Sequence, residues 1–318
     1  MNSETLAAWS LVGVYSAAAV YLGAFVLFLL DLAKRSADAP ARAVAAEATA
    51  TAGSTAVLVE APPAPPAVAR PSRNARIAFA LTALGFAVHA LAIVLRGVAA
   101  ERVPWANMFE FALTGTGIIV GVFVFANLWK DLRFLGTFVT GLAVLLLVLA
   151  TRNLYVDVIP LPPALDSAWL VIHVLVAILG TGFFALGAGL SIMQLLQQRR
   201  EAGRLSGASF LTRIPGSTTL ESLAYRVNVI GFVLWTFTLI FGAIWAERAW
   251  GRYWGWDTKE VWTFVIWVVF AGYIHARATR GWRGTPSAVL AIIGFAAVLF
   301  NFTVVNLFFT GLHAYSGL

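Results

Sequence analysis

The sequence predicts an all-α fold, a polytopic membrane bundle of about eight transmembrane helices with both termini outside, and three observations carry that reading. Hydrophobic residues make up 60% of the chain and charged ones only 12%, with a mean hydropathy of +0.83, far from the ~45–50% apolar share of a soluble domain. Apolar runs long enough for the ~20 residues that cross a bilayer recur along the whole chain. The basic residues also sort by side: 15 fall in segments that this alternating order places inside and six in segments it places outside, the bias that orients membrane proteins. That bias accounts for the net charge of +7, so no nucleic-acid partner is expected.

The elements follow in order. Residues 1–33 hold the first transmembrane helix, apolar from 6 to 30 and stopped by Lys34 and Arg35; without a basic stretch before it, it reads as a retained span rather than a signal peptide. Residues 34–75 are rich in Ala and Pro, with Pro pairs at 62 and 65, a composition that buries too little to fold and predicts a disordered cytoplasmic linker. Residues 76–318 then form a seven-helix domain, with spans near 77–95, 108–128, 134–150, from 167 to about 196, 222–244, 261–277 and 287–311. Lys130 to Arg133 is a tight inner turn, and the outer loop 151–166, with Pro160, Pro162 and Pro163, is expected to be irregular.

Between two long apolar segments, the spans near 222–244 and 261–277, lies the densest chemistry. Residues 245–262 read WAERAWGRYWGWDTKEVW and hold five of the chain's 12 Trp, together with Glu247, Asp257 and Glu260. Trp at a helix end suits the headgroup level, so an aromatic belt is one reading. Gly251 and Gly255 favour the other, a platform of indole faces that a flat ligand approaches closely. Arg248, Arg252 and Lys259 stand ready for that ligand's carboxylates. Haem, planar and edged by propionates, has this shape.

The string WGRYWGWDTKE at 250–260 closely resembles the WWD signature, WGxxWxWDxxE, of the membrane haem-handling proteins of cytochrome c maturation. Thr258 stands where many relatives have Pro. The likeness runs from about residue 77 to the end, takes in ProTrpAlaAsnMetPheGlu at 104–110, and is of the CcsA/ResC type, also called CcsB, of the System II pathway.

Cysteine is absent, which excludes disulfides, thiolate ligation and thiol exchange, and leaves four histidines as the main candidates to ligate a metal. His173 and His313 fall near the outer surface and His89 and His275 deeper. Residue by residue, a lone His in a span is a hydrogen-bonding group or a ligand, and both readings stay open. The resemblance implies that His173 and His313 are axial ligands of haem iron at the external site and that His275 and His89 bind haem on its way outward. It also implies Trp250, Trp254, Trp256, Gly251, Gly255, Asp257 and Glu260 as haem-binding positions. Asp257 and Glu260 read as helix-capping and positioning groups rather than proton-transfer catalysts, and Glu110 as an ion-pair partner of Arg96 or Arg102.

The function so implied is export of haem b to the outer face and its presentation to the CxxCH thiols of apocytochrome c, as part of a cytochrome c synthase. No catalytic residue is assigned beyond haem positioning. The implied partner is a membrane subunit of the ResB or Ccs1 kind, and the implied place is the bacterial plasma membrane or its thylakoid equivalent, with the WWD loop outside. The alternatives are a transporter of haem or another amphiphile without attachment, a haem-handling subunit of the System I pathway, and a quinone or electron-transfer protein with two haems.

Overall fold

In a computed structural model the described residues are all but 1, 53–71, 159–164, 206–210, 212, 213, 280, 281 and 314–318, with only the backbone described at 35–52. The helices are α1 (Ser3–Ala52), α2 (Arg73–Ala100), α3 (Met108–Ala126), α4 (Gly136–Asn153), α5 (Ala168–Glu201), α6 (Ser217–Trp250), α7 (Thr258–Ala278) and α8 (Thr285–Phe300). A single π turn, Asn301–Val305, and a short helical piece, Asn306–Phe308, continue α8. Eight of these segments are long and apolar enough to cross a membrane, and among the described residues no strand is present.

Local chemistry sets the ends. Ser72 accepts from the Ala75 amide at 3.0 Å to open α2, and Asn107 accepts from the Glu110 amide at 2.9 Å to open α3, each supplying an acceptor to a helix start whose N–H donors lack one. Gly251, at φ 70°, closes α6 in the left-handed conformation that glycine adopts without strain. Asp257 and Glu260 form a capping box on α7.

Where α2 packs, small residues recur: Ala75, Ala78, Gly85, Ala92 and Ala99 are buried, together with the polar Thr82, His89 and Arg96, whereas Leu84, Leu91, Val94 and Val98 are exposed. Small residues at helix contacts and large ones facing outward are what a bilayer selects, since lipid is as apolar as the interior.

Packing divides the bundle into two groups. α1 packs on α2 and α4, and α3 on α2 and α4; α5 packs on α6 and α8, and α7 on α6 and α8. The groups meet mainly where α3 lies along α5. Phe184 of α5 stacks on Phe270 of α7 at 3.6 Å at the centre of the second group, and Trp235 and Trp267 donate their indole N–H groups across α6 and α7, to Thr263 O and Thr236 Oγ1, both at 3.0 Å.

The membrane-spanning part of the first helix is Ser3–Lys34, and helical backbone continues beyond it to Ala52, through a stretch expected to be disordered from 34. Alanine is the strongest helix former, and an Ala-rich run adjoining a formed span extends it without a new nucleation step. The rest of the expected linker up to residue 71 lies outside the described residues, as do Pro160, Pro162 and Pro163. At 34 residues each, α5 and α6 are about 51 Å long, well beyond the ~30 Å hydrocarbon layer. Glu201 and Ser217 hydrogen-bond to each other where the two helices join.

Candidate functional site

A cavity of about 210 Å³ opens at the WWD end of the second group, and His173 and His313 both line it. His173 stands on α5, two turns in from the Ser167 cap. Its Nδ1 lies 2.9 Å from the main-chain oxygen of Thr238 on α6. Its ring stacks on Trp245, with centroids 5.9 Å apart and planes 14° from parallel. Gly242 makes room for it, because a Cβ there would meet His173 Cε1 at 2.8 Å.

His313 follows the end of α8 and reaches the same cavity from the other side of the sequence. Its Nδ1 lies 2.8 Å from Asp257 Oδ2, and its ring meets Trp245 and Trp250 edge-on, at 5.6 and 4.7 Å. Trp245 therefore touches both imidazoles. In each histidine Nδ1 faces an oxygen acceptor, an arrangement in which Nδ1–H donates and Nε2 is the nitrogen left for a ligand.

Asp257 does three jobs. It caps α7, accepts the Leu312 amide at 3.2 Å and holds His313. The His313 contact is the chief reason that its carboxyl is held below the ordinary carboxylate range, with its two amide partners adding to it. Glu260 Oε2 accepts the amides of Gly255 and Asp257 at 2.8 and 3.0 Å, while its buried Oε1 has no partner. Both carboxylates thus cap and position, as their place before an apolar helix leads one to expect.

The tryptophans divide. Trp250 packs on Trp245 at 4.8 Å and on His313. Trp254 lines the cavity and meets Trp256 and Phe264 edge-on at 5.9 and 6.4 Å. Trp256 is 72% exposed, at a positive φ of 59°, and lies outside the histidine cavity. It walls a neighbouring apolar groove of about 410 Å³ with Ile240 and Phe264. Leu239, Ala243 and Trp254 line both spaces. Gly251 supplies the α6 cap, and over Gly255 lies the Arg252 guanidinium, in the place a Cβ would take.

The cations expected to face carboxylates are otherwise engaged. Arg248 lies 5.8 Å over the Trp169 ring, and Lys259 Nζ donates to Asn301 O at 2.9 Å and to Asn306 Oδ1 at 2.8 Å. Glu110 pairs with both arginines, at 3.1 Å from Arg96 Nε and 2.7 Å from Arg102 Nη1, and Arg96 is 1% exposed. This ion cluster ties α2 and the loop after it to the start of α3.

The other two histidines stand apart from the cavity and from each other. His89, fully buried in α2, has Nδ1 3.3 Å from the Tyr21 hydroxyl of α1 and no partner at Nε2. His275 is exposed on α7, in the other group of helices, and lines neither space. Sequence reasoning passed over Gly242, Thr238 and the role of Trp245 as the surface shared by two imidazoles. It also left out Trp105 and Asn107 as cavity-lining residues, although both lie in the ProTrpAlaAsnMetPheGlu string.

The family model described as "Cytochrome C assembly protein" matches residues 77–313. The chain belongs to that family. Among individual relatives, the cytochrome c biogenesis protein CcsA of Guillardia theta is 34% identical over 232 residues, 68% of this chain and 77% of its own. The CcsA proteins of Mesostigma viride and Synechocystis are 34% and 32% identical, over 71% and 69% of this chain and 81% and 82% of theirs. The solved structure of the cytochrome c haem lyase CcmF superposes with a TM-score of 0.64 over 95% of this chain and 47% of its own, at 16% identity. At that identity the likeness shows the fold, and this chain spans about half of CcmF's length. The family match begins after α1, yet α1 supplies the Tyr21 partner of His89.

Proposed function

We propose that this protein holds haem b at the outer end of its second helix group, with His173 and His313 as axial ligands, and presents it for attachment to apocytochrome c. The observation that carries this is the pair of imidazoles in one cavity, each with Nδ1 engaged and, among the described residues, no partner at Nε2. Iron in haem brings four nitrogens of its own and asks the protein for two more. That matches a site with two histidines, and among the described residues no three His, Asp or Glu side chains converge as a bare metal ion would need. Trp105, Trp235, Trp245 and Trp254 line the cavity and give the apolar aromatic walls that a porphyrin needs. The cavity alone is smaller than the ~300–1,000 Å³ of ordinary ligand pockets, and the groove beyond Trp254 supplies the additional space.

When bound, haem supplies vinyl groups to which the acceptor's CxxCH thiols add. The chain's own residues bind, orient and shield; none acts as a nucleophile, and positioning accounts for the acceleration. Gly242 and Thr238 set the His173 ring, and Asp257 sets His313. His89, with its unpartnered Nε2, and the outward-facing His275 are contacts for haem at membrane depth, and their places in different helix groups support separate steps rather than one iron. The WWD loop faces outside, in a bacterial plasma membrane or thylakoid equivalent. A ResB or Ccs1-type membrane subunit supplies the surface that grips the apocytochrome, and the pair works as a cytochrome c synthase.

The test is expression of this chain with that subunit and a reporter apocytochrome. Wild type is expected to copurify with haem and to yield holocytochrome, and His173→Ala and His313→Ala to lose both. Haem copurification without holocytochrome in the presence of the partner would instead mark a transporter.

A further inference from the structure

We propose that Lys259 is a positioning residue that, with Asp257, clamps the segment beyond α8 so that His313 stands over the cavity. This rests on His313 being an iron ligand, and it gives the Trp-rich motif a second task besides offering indole faces. Lys259 Nζ spends two of its three N–H donors on Asn301 O and Asn306 Oδ1, at 2.9 and 2.8 Å. These acceptors bracket the π turn Asn301–Val305, a widened turn of the kind that gathers at functional sites. Asn301 Nδ2 adds a tie to Thr263 Oγ1 at 3.3 Å, and the Thr263 hydroxyl donates to Lys259 O at 2.8 Å. The start of α7 and the end of α8 are thereby laced together by polar side chains.

Two residues earlier in the motif, Asp257 grips the far end of the same segment. It accepts the Leu312 amide at 3.2 Å and meets His313 Nδ1 at 2.8 Å. Gly311 permits this approach, since a Cβ there would stand 2.1 Å from Asp257 Oδ1. Burial does little to hold what lies between. Phe308 is 77% exposed, Phe309 46% and Leu312 40%, and the piece Asn306–Phe308 has no buried residue. A segment without packing is placed by its hydrogen bonds, and those made to charged groups are the strong ones. Lys259 and Asp257 supply them at the two ends.

Lys259 also lines the cavity, so direct pairing with a ligand carboxylate is the competing role. Hydrogen exchange of the haem-free protein separates the clamp from the ligand. In Lys259→Met, amides from 309 to 312 are expected to exchange about tenfold faster or more, given the usual worth of a charge-assisted hydrogen bond, and Lys259→Arg is expected to recover part of the protection. Asn306→Ala removes one acceptor outside the motif and is expected to act in the same direction, more weakly.

With haem bound, Lys259→Met is expected to keep haem on His173 but to lose the low-spin, two-imidazole absorption signature, which free imidazole restores. Unchanged exchange and unchanged ligation in Lys259→Met would overturn the clamp. So would loss of haem binding alongside normal binding of haem dimethyl ester, which would assign the ammonium to the carboxylates. Faster exchange in a protein whose spectrum is indifferent to His313→Ala would leave the clamp standing as a structural tie and overturn its assigned role, because the reading of His313 itself would have failed.

Discussion

His89 and His173 lie one in each half of the bundle, and their surroundings differ in kind. His89 is sealed among α1, α2 and α3, its Nδ1 at 3.3 Å from a tyrosine hydroxyl that can give or take a proton. His173 is half-buried beside open space, its Nδ1 at 2.9 Å from a main-chain carbonyl that can only accept. His89 also meets the Leu113 main chain, so a backbone partner does not set the two apart; room does, since His89 is fully buried and His173 lines a cavity. The comparison teaches that a histidine in a membrane helix becomes a ready ligand when it faces room.

The largest effect is expected from closing that room. Gly242→Val puts a branched side chain where a single Cβ would already stand 2.8 Å from His173 Cε1, and it is expected to abolish haem copurification while the protein still reaches the membrane. Gly85→Val is the matched change in the first half, where a Cβ would meet Tyr21 Cε1 at 2.6 Å. It is expected to disturb α1 packing and to leave the outer haem spectrum in place. Equal loss in both would dissolve the distinction between the halves.

Next comes the acceptor. Asp257→Asn keeps the shape but weakens the hold on His313 Nδ1, and removing such a partner typically costs about 10–100-fold in metal affinity. Haem titration of the purified variant reads this directly, and unchanged affinity would make Asp257 a helix cap only.

The fold was legible in the sequence because spans are read from length and apolarity. The faces were not. Lipid and interior are both apolar, so an apolar pattern cannot say which side of α7 looks outward, and His275 turned out to be exposed. The capping carboxylates Asp257 and Glu260 were readable from their place before an apolar helix. Gly242 was not, since a glycine in a span marks a close approach without naming what approaches. The sequence offers Lys259 to a ligand's carboxylate, and nothing near it in the chain announces partners at 301 and 306.

A smaller effect is expected at the rings. Trp254→Ala lines the cavity with less area, and one aromatic contact is worth about 0.5–1.5 kcal/mol beyond burial, roughly threefold to tenfold in affinity. Trp256→Ala, in the neighbouring groove and 72% exposed, is expected to cost less, and the double variant more than either. Full haem content in the double variant would return this stretch to an aromatic belt. The smallest effect is expected from Tyr21→Phe, which removes the hydroxyl beside His89 and should leave haem affinity at the outer site within about twofold, as additivity of distant sites implies.

The most direct measurement is the absorption spectrum of purified haem-loaded protein, taken for wild type, His173→Ala, His313→Ala and His89→Ala, each with and without free imidazole. Wild type and His89→Ala are expected to show the same low-spin, two-imidazole spectrum. His173→Ala and His313→Ala are each expected to lose it and to regain it when imidazole fills the vacant position. A wild-type spectrum in either of those two variants would contradict the ligand pair on which the account rests.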